Sequence, residues 1–220
     1  MKPLTSEFQD TDALCDLGRA SVQIVHDLKN QLNGLKLYAT FLRKRLEKAD
    51  RPADELETIA KLIAGLERAA NDTAIMVRYG RPLELRRAPR VDLSKILTAA
   101  VNSHVSMDAG TYEGTFDAAA VSEAFQSITI GARTNETGKT VNGIEISLRR
   151  EDSGNSPFAI VEWHGVRGEE DEDLFLSFAG SSGLRMALAA KIIRMHGGDV
   201  AHDASVLRAR LPLDKAEVRG

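Results

Sequence analysis

The residues best placed to do chemistry stand together in HDLKN, positions 26–30: a histidine, an acid beside it, and a side-chain amide four residues on. A neutral imidazole is abundant near neutral pH and can accept and release a phosphoryl group. Asp27 can take a hydrogen bond from the second ring nitrogen of His26 and raise its nucleophilicity. Asn30 lies one helical turn further along, on the same face as His26, where an amide can orient a phosphoryl oxygen or an attacking water. A lone helical histidine is ordinarily a structural or surface residue. These three groups at this spacing point instead to His26 as a phosphoacceptor.

Such a constellation needs a rigid helix under it. Apolar residues recur at heptad spacing through Leu14, Leu17, Ile24, Leu28, Leu35, Tyr38 and Leu42, and Val25, Leu32, Ala39 and Leu46 widen the stripe. KADRPADE interrupts it, with Pro52 suited to the first turn of a new helix. The stripe then resumes at Leu56, Ile59, Ile63, Leu66, Ala70, Thr73 and Val77. Two long helices joined by a short loop form an antiparallel hairpin. A lone hairpin leaves half its seam wet, so the reading predicts a homodimer closed into a four-helix bundle. His26 falls off the seam and is expected to face water.

Residues 81–90 form a proline-punctuated linker. With Arg78 the region holds five arginines, but no aromatics interleave and the net charge is -3, so nucleic acid is not the expected partner. Beyond Val91 the pattern becomes mixed. VDLSKILTAAVNSH reads as a helix capped near Asp92 or Ser94, TYEGTFD as a strand and 117–134 as a helix. GIEISLRRED and PFAIVEWHGV alternate as strands, SSGLRMALAAKIIRMHGG is a helix closed by glycine, and DVAHDA and LRARLPL are short closing strands. The order argues an α+β sandwich with helices on one face of a mixed sheet. The expected domains are therefore 1–80, the helical hairpin, and 91–220, the sandwich. A single cysteine, Cys15, fits a reducing cytosol. No apolar run is long enough to cross a bilayer, and the acidic N-terminus does not read as a signal peptide. The expected location is the cytoplasm.

HDLKN inside an apolar-heptad hairpin resembles the dimerisation and phosphoacceptor hairpin of bacterial histidine kinases, and residues 91–220 resemble the ATP-binding domain of the same family, of GHKL or Bergerat type. The family carries Glu or Asp after its histidine and Asn or Thr four residues on, and both requirements are met here. The resemblance implies that Lys29, Asn33, Lys36, Leu37 and Arg43 form the partner-binding surface for response-regulator receiver domains. In the second half the family's nucleotide motifs are degenerate. Gly131 stands where the resemblance places a metal-binding asparagine, with Ser127 at the earlier asparagine. Trp163 stands where the adenine-contacting aspartate belongs. Gly183 and Leu184 survive from the last glycine motif, but Arg185 replaces its next glycine, and little chain is left between Phe178 and Gly183 for a lid. Glycine offers magnesium no oxygen, tryptophan offers adenine no acceptor, and without a lid water is not excluded. No cofactor and no metal are therefore expected on this chain.

The expectation is a histidine phosphotransfer protein, carrying phosphoryl groups through His26 between receiver aspartates, with magnesium supplied by the receiver. The build resembles that of dimeric histidine phosphotransferases. With only about 12 residues ahead of the first helix, no sensor domain is expected, and the kinase alternative would need a separate sensor. A divergent, sensor-less ATP-dependent kinase and a non-catalytic regulator-binding adaptor are the alternatives. The helix start Ser181-Ser182-Gly183 could still hold an anion. The acidic run EEDED, 169–173, is expected to be a solvated loop, with partner docking, or mimicry of nucleotide phosphates against basic residues, as the alternatives.

Overall fold

A computed structural model describes residues 21, 25, 28–44, 46, 53–101, 103–133, 143–153, 156–166, 174–176, 180–203 and 205–214. His26, Asp27, the acidic run 169–173 and the stretch 177–179 lie outside the described residues. The chain divides into two compact units, Met1–Pro82 and Leu83–Gly220.

The first unit contains helix α1 (28–44 as described) and helix α2 (Ala53–Gly80). They run antiparallel: Lys36 pairs with Glu67 at 2.8 Å, and Leu46 lines a cleft with Glu55, Thr58 and Ile59. Among its described residues the side chains withdrawn from water are Ala39, Ile63 and Thr73, whose hydroxyl donates back to the carbonyls of Ala69 and Ala70. The seam therefore divides in two. On α1 the stripe through Leu32 and Ala39 turns inward, while Leu28, Leu35, Tyr38 and Leu42 stay outside, at 45, 53, 68 and 53% exposure. Leu37, Phe41, Leu62 and Met76 are exposed with them.

The second unit is a sandwich. Its larger sheet has the order β2-β4-β5-β7-β6, from β2 (Val105–Met107), β4 (Glu145–Ser153), β5 (Ser156–His164), β6 (Asp199–Asp203) and β7 (Val206–Pro212). Only the β2–β4 pairing is parallel, so the sheet is mixed as expected. Helices α3 (Leu93–Val101), α4 (Ala118–Arg133) and α5 (Gly180–Met195) pack with the sheet. Alternation decides the faces: Ile146 and Leu148, Ala159, Val161 and Trp163, and Leu207, Ala209 and Leu211 point into one core with Leu97, Phe125, Ile128 and Ile192.

Two strands were not legible as such. β2 lies just past the helix read to 104, which ends at Val101. β1 (Ala88–Asp92) starts inside the stretch read as linker and pairs antiparallel with β3 (Glu113–Phe116). A register shift between Ala88 and Val91 accompanies Arg90, whose φ of 57° is unusual for a side-chain-bearing residue. The cap of α3 resolves to Asp92, whose Oδ1 accepts from the Ser94 amide at 3.0 Å and its hydroxyl at 2.6 Å.

Candidate functional site

On the described part of α1, Asn30 and Asn33 are exposed, as is Leu37 at 55%, and Lys29 and Arg43 are half-buried. Lys36 is held across the hairpin by Glu67, so its ammonium is engaged within the unit rather than wholly available to a partner. These positions share one helix, and the exposed apolar side chains Leu37, Tyr38 and Phe41 lie among them.

The second unit sets two of the positions singled out in the sequence, Trp163 and Gly131, against residues of other elements. Trp163 on β5 is fully buried, and its indole N–H donates to Thr129 Oγ1 on α4 at 2.9 Å. Thr129 passes the chain on, its hydroxyl donating to the Phe125 carbonyl at 2.7 Å. The Phe125 and Trp163 rings meet in a tilted pair, centroids 6.1 Å apart and planes at 54°. The indole thus fills the space between β5 and α4 with its one polar atom satisfied.

Gly131, two residues beyond Thr129, lies under Met186 of α5. A Cβ at 131 would overlap the Met186 sulfur and lie 2.8 Å from its Cγ. The bare glycine lets α5 settle on α4, with Met186, Ala187, Ala189 and Ala190 buried. Gly183 is buried near the start of α5, and Arg185 and Ser127 are half-buried. Thr129 and Met186 were missed in the sequence. A lone core tryptophan needs an acceptor, and a threonine four residues after Phe125 on a buried helix stripe was the available signal.

Two further clusters were also missed. On the sheet face away from Trp163, Glu162 is 8% exposed and held by Arg208 at 2.7 Å and Arg149 at 3.5 Å, with His164 at 3.8 Å. Burial pushes its carboxyl up, but hydrogen bonds from Arg208 and Arg149 outweigh this and hold it below the usual glutamate value. Neighbouring Arg210 pairs with Glu151 and stacks 3.7 Å over Phe158. The second cluster surrounds His196, in the turn read only as MHGG: its Nε2 accepts the amide of Asp117 at 3.0 Å. Among the described residues no group of His, Cys, Asp and Glu could hold a metal ion, and no helix is long and apolar enough to cross a membrane.

Neither a protein-family model nor a curated protein sequence matches the chain. Solved structures do. The Acinetobacter baumannii histidine kinase AdeS superimposes with a TM-score of 0.52 at 12% identity, over 84% of this chain and 97% of that one. The mycobacterial sensor histidine kinase MprB gives 0.42 at 15% identity over 57% and 97%. The catalytic domain of histidine kinase ThkA gives 0.43 at 16% identity over 58% and 96%. At such identities the likeness is one of fold, and over most of its length the chain has the fold of a histidine kinase.

Proposed function

We propose that the chain is a cytoplasmic histidine phosphotransfer protein of two-component signalling, working as a homodimer. His26 accepts a phosphoryl group from the aspartyl phosphate of one receiver domain and returns it to the aspartate of another. In the first step an imidazole nitrogen attacks phosphorus and the P–O bond to the receiver carboxylate breaks as the N–P bond forms. Asp27 holds the proton on the other ring nitrogen. Asn30 orients a phosphoryl oxygen. Magnesium and the acid pocket belong to the receiver, so this chain has only to present the imidazole and a docking surface formed by Lys29, Asn33, Lys36, Leu37 and Arg43.

The observation that carries this reading is the filling of the second unit at the positions where the resembled family binds nucleotide. A buried indole hydrogen-bonded to Thr129 stands in place of a carboxylate. Gly131 provides no oxygen, and Met186 lies against it. These residues do not fit a nucleotide with its magnesium. The exposed apolar row Leu28, Leu35, Tyr38 and Leu42 supports the homodimer, since a second hairpin would cover it.

A second reading, a divergent ATP-dependent kinase, is favoured by the match to AdeS along 84% of the chain. Two measurements separate them. Label chased from a phosphorylated receiver should appear on the wild-type protein, be lost in acid, stay in base as a phosphoramidate does, and vanish in His26→Ala. Titration with a magnesium-ATP analogue should show no binding; micromolar affinity would sink the phosphotransfer reading and promote the kinase.

A further inference from the structure

His196 closes α5, and its ring is 4% exposed beside the Phe116 ring, 5.9 Å between centroids. Both nitrogens are engaged: Nδ1–H donates to the Ile192 carbonyl at 2.8 Å, and Nε2 accepts the Asp117 amide at 3.0 Å. Only the neutral ring with its proton on Nδ1 satisfies both partners. Asp117 in turn holds two elements. Its Oδ1 caps α4 through the Ala120 amide at 3.0 Å, and its Oδ2 accepts the Arg86 amide at 2.7 Å. Arg87 next along donates from Nη2 to the Met195 carbonyl, one residue before His196. The segment by which the chain enters the second unit is thus tied to the start of α4 and the end of α5, with one imidazole at the centre.

We propose that this cluster is an acid-released latch: protonation of His196 turns Nε2 from acceptor to donor, drives off the Asp117 amide, and frees Arg86 and Arg87 from the unit. The charged groups facing the ring are Asp117 from the head of α4 and Arg87 from ahead of β1, while β3 contributes the apolar Phe116. The Arg87 guanidinium opposes a second positive charge. The Asp117 carboxylate favours one, but both of its oxygens already accept backbone amides. Burial weighs most and holds the imidazole below its ordinary 6.5, the Ile192 bond acting the other way. A base with a depressed pKa keeps the closed state whole above 6.5 and weakens it as pH falls toward the folded value. The latch is therefore set at neutral pH and opens on the acid side.

The test is residue-resolved amide exchange on the full chain across about pH 7.5 to 5, with the imidazole titrations followed by nitrogen NMR. Protection factors at Asp117 and Arg86 should fall about tenfold for each pH unit below about 6.5, one proton being taken up on opening. Protection at Val161, in the middle of β5, should hold over the same range. His196→Gln keeps an acceptor oxygen but cannot titrate, so its protection at Asp117 and Arg86 should be flat with pH. If that variant does not fold, the wild-type profile decides. Constant protection through the His196 titration, or a parallel fall at Val161, would overturn the latch, as would an undiminished pH response in His196→Gln.

Discussion

The contact between Trp163 and Thr129 gives the sharpest test of how the second unit is held. Thr129→Val removes the acceptor and leaves a fully buried indole N–H with nothing to bond. An orphaned donor of this kind costs about 1–3 kcal/mol. Trp163→Phe removes the donor and part of the ring, which should cost about 2 kcal/mol from lost packing and the lost bond together. With phenylalanine at 163, Thr129→Val exchanges a hydroxyl for a methyl in a site with no donor left to strand, and should be close to neutral. The cycle therefore predicts a coupling of about 1–3 kcal/mol between the two positions. Urea unfolding followed by far-UV circular dichroism measures it; fluorescence will not serve, because Trp163 is the only tryptophan. Additivity within about 0.5 kcal/mol would show that the bond holds nothing and that the indole is there for volume alone.

Three other perturbations address the rest of the molecule. Gly198→Ala sets a Cβ onto the Arg210 carbonyl oxygen and 2.9 Å from Ile193 Cγ2, so backbone must move; a loss of about 3 kcal/mol, or on the order of 10 °C in Tm, is expected by calorimetry. Glu162 has a depressed pKa, so its share of stability is present above about 4.5 and lost as pH falls through the folded value. Glu162→Gln should flatten that acid limb in denaturant midpoints taken against pH, and an unchanged limb would remove Glu162 from the account. Leu35→Glu with Tyr38→Glu should give monomers of unchanged helix content in sedimentation, since both side chains are already more than half exposed within one chain. A wild-type monomer at micromolar concentration would refute the dimer.

Legibility followed strength of pattern. β4, β5 and β7 run for seven to nine residues each, long enough for a strand pattern to show, and β7 alternates throughout between buried and half-buried positions. β2 has three residues, and β1 carries Pro89 and a burial run of three exposed then two half-buried positions, so neither writes an alternation. The hairpin was visible in its heptads, but one stripe can face its own partner helix or a second chain. Only the structure assigned Ala39 and Ile63 to the interior and left Leu35 and Tyr38 outside. Gly131 and Trp163 were singled out only as departures from what the resemblance implies. What now stands against them was not legible, because Thr129 and Met186 belong to other elements and no local spacing links them. His196 was read as the end of a helix for the same reason, its acceptor role depending on Asp117, 79 residues away.

Those distant partners decide what Gly131→Asn or Trp163→Asp would meet in the second unit. An asparagine at 131 would have to displace Met186, which is 2% exposed and seated between α4 and α5. A carboxylate at 163 would lie where the indole is now fully buried against Phe125, with the Thr129 hydroxyl as the one polar group bonded there, a setting that strongly disfavours charge. Met186 meets α4 at Gly131, and Trp163 meets it at Thr129. Either change alone leaves a strained or underpacked core. Both contacts belong to the packing of α4, one against α5 and one against β5.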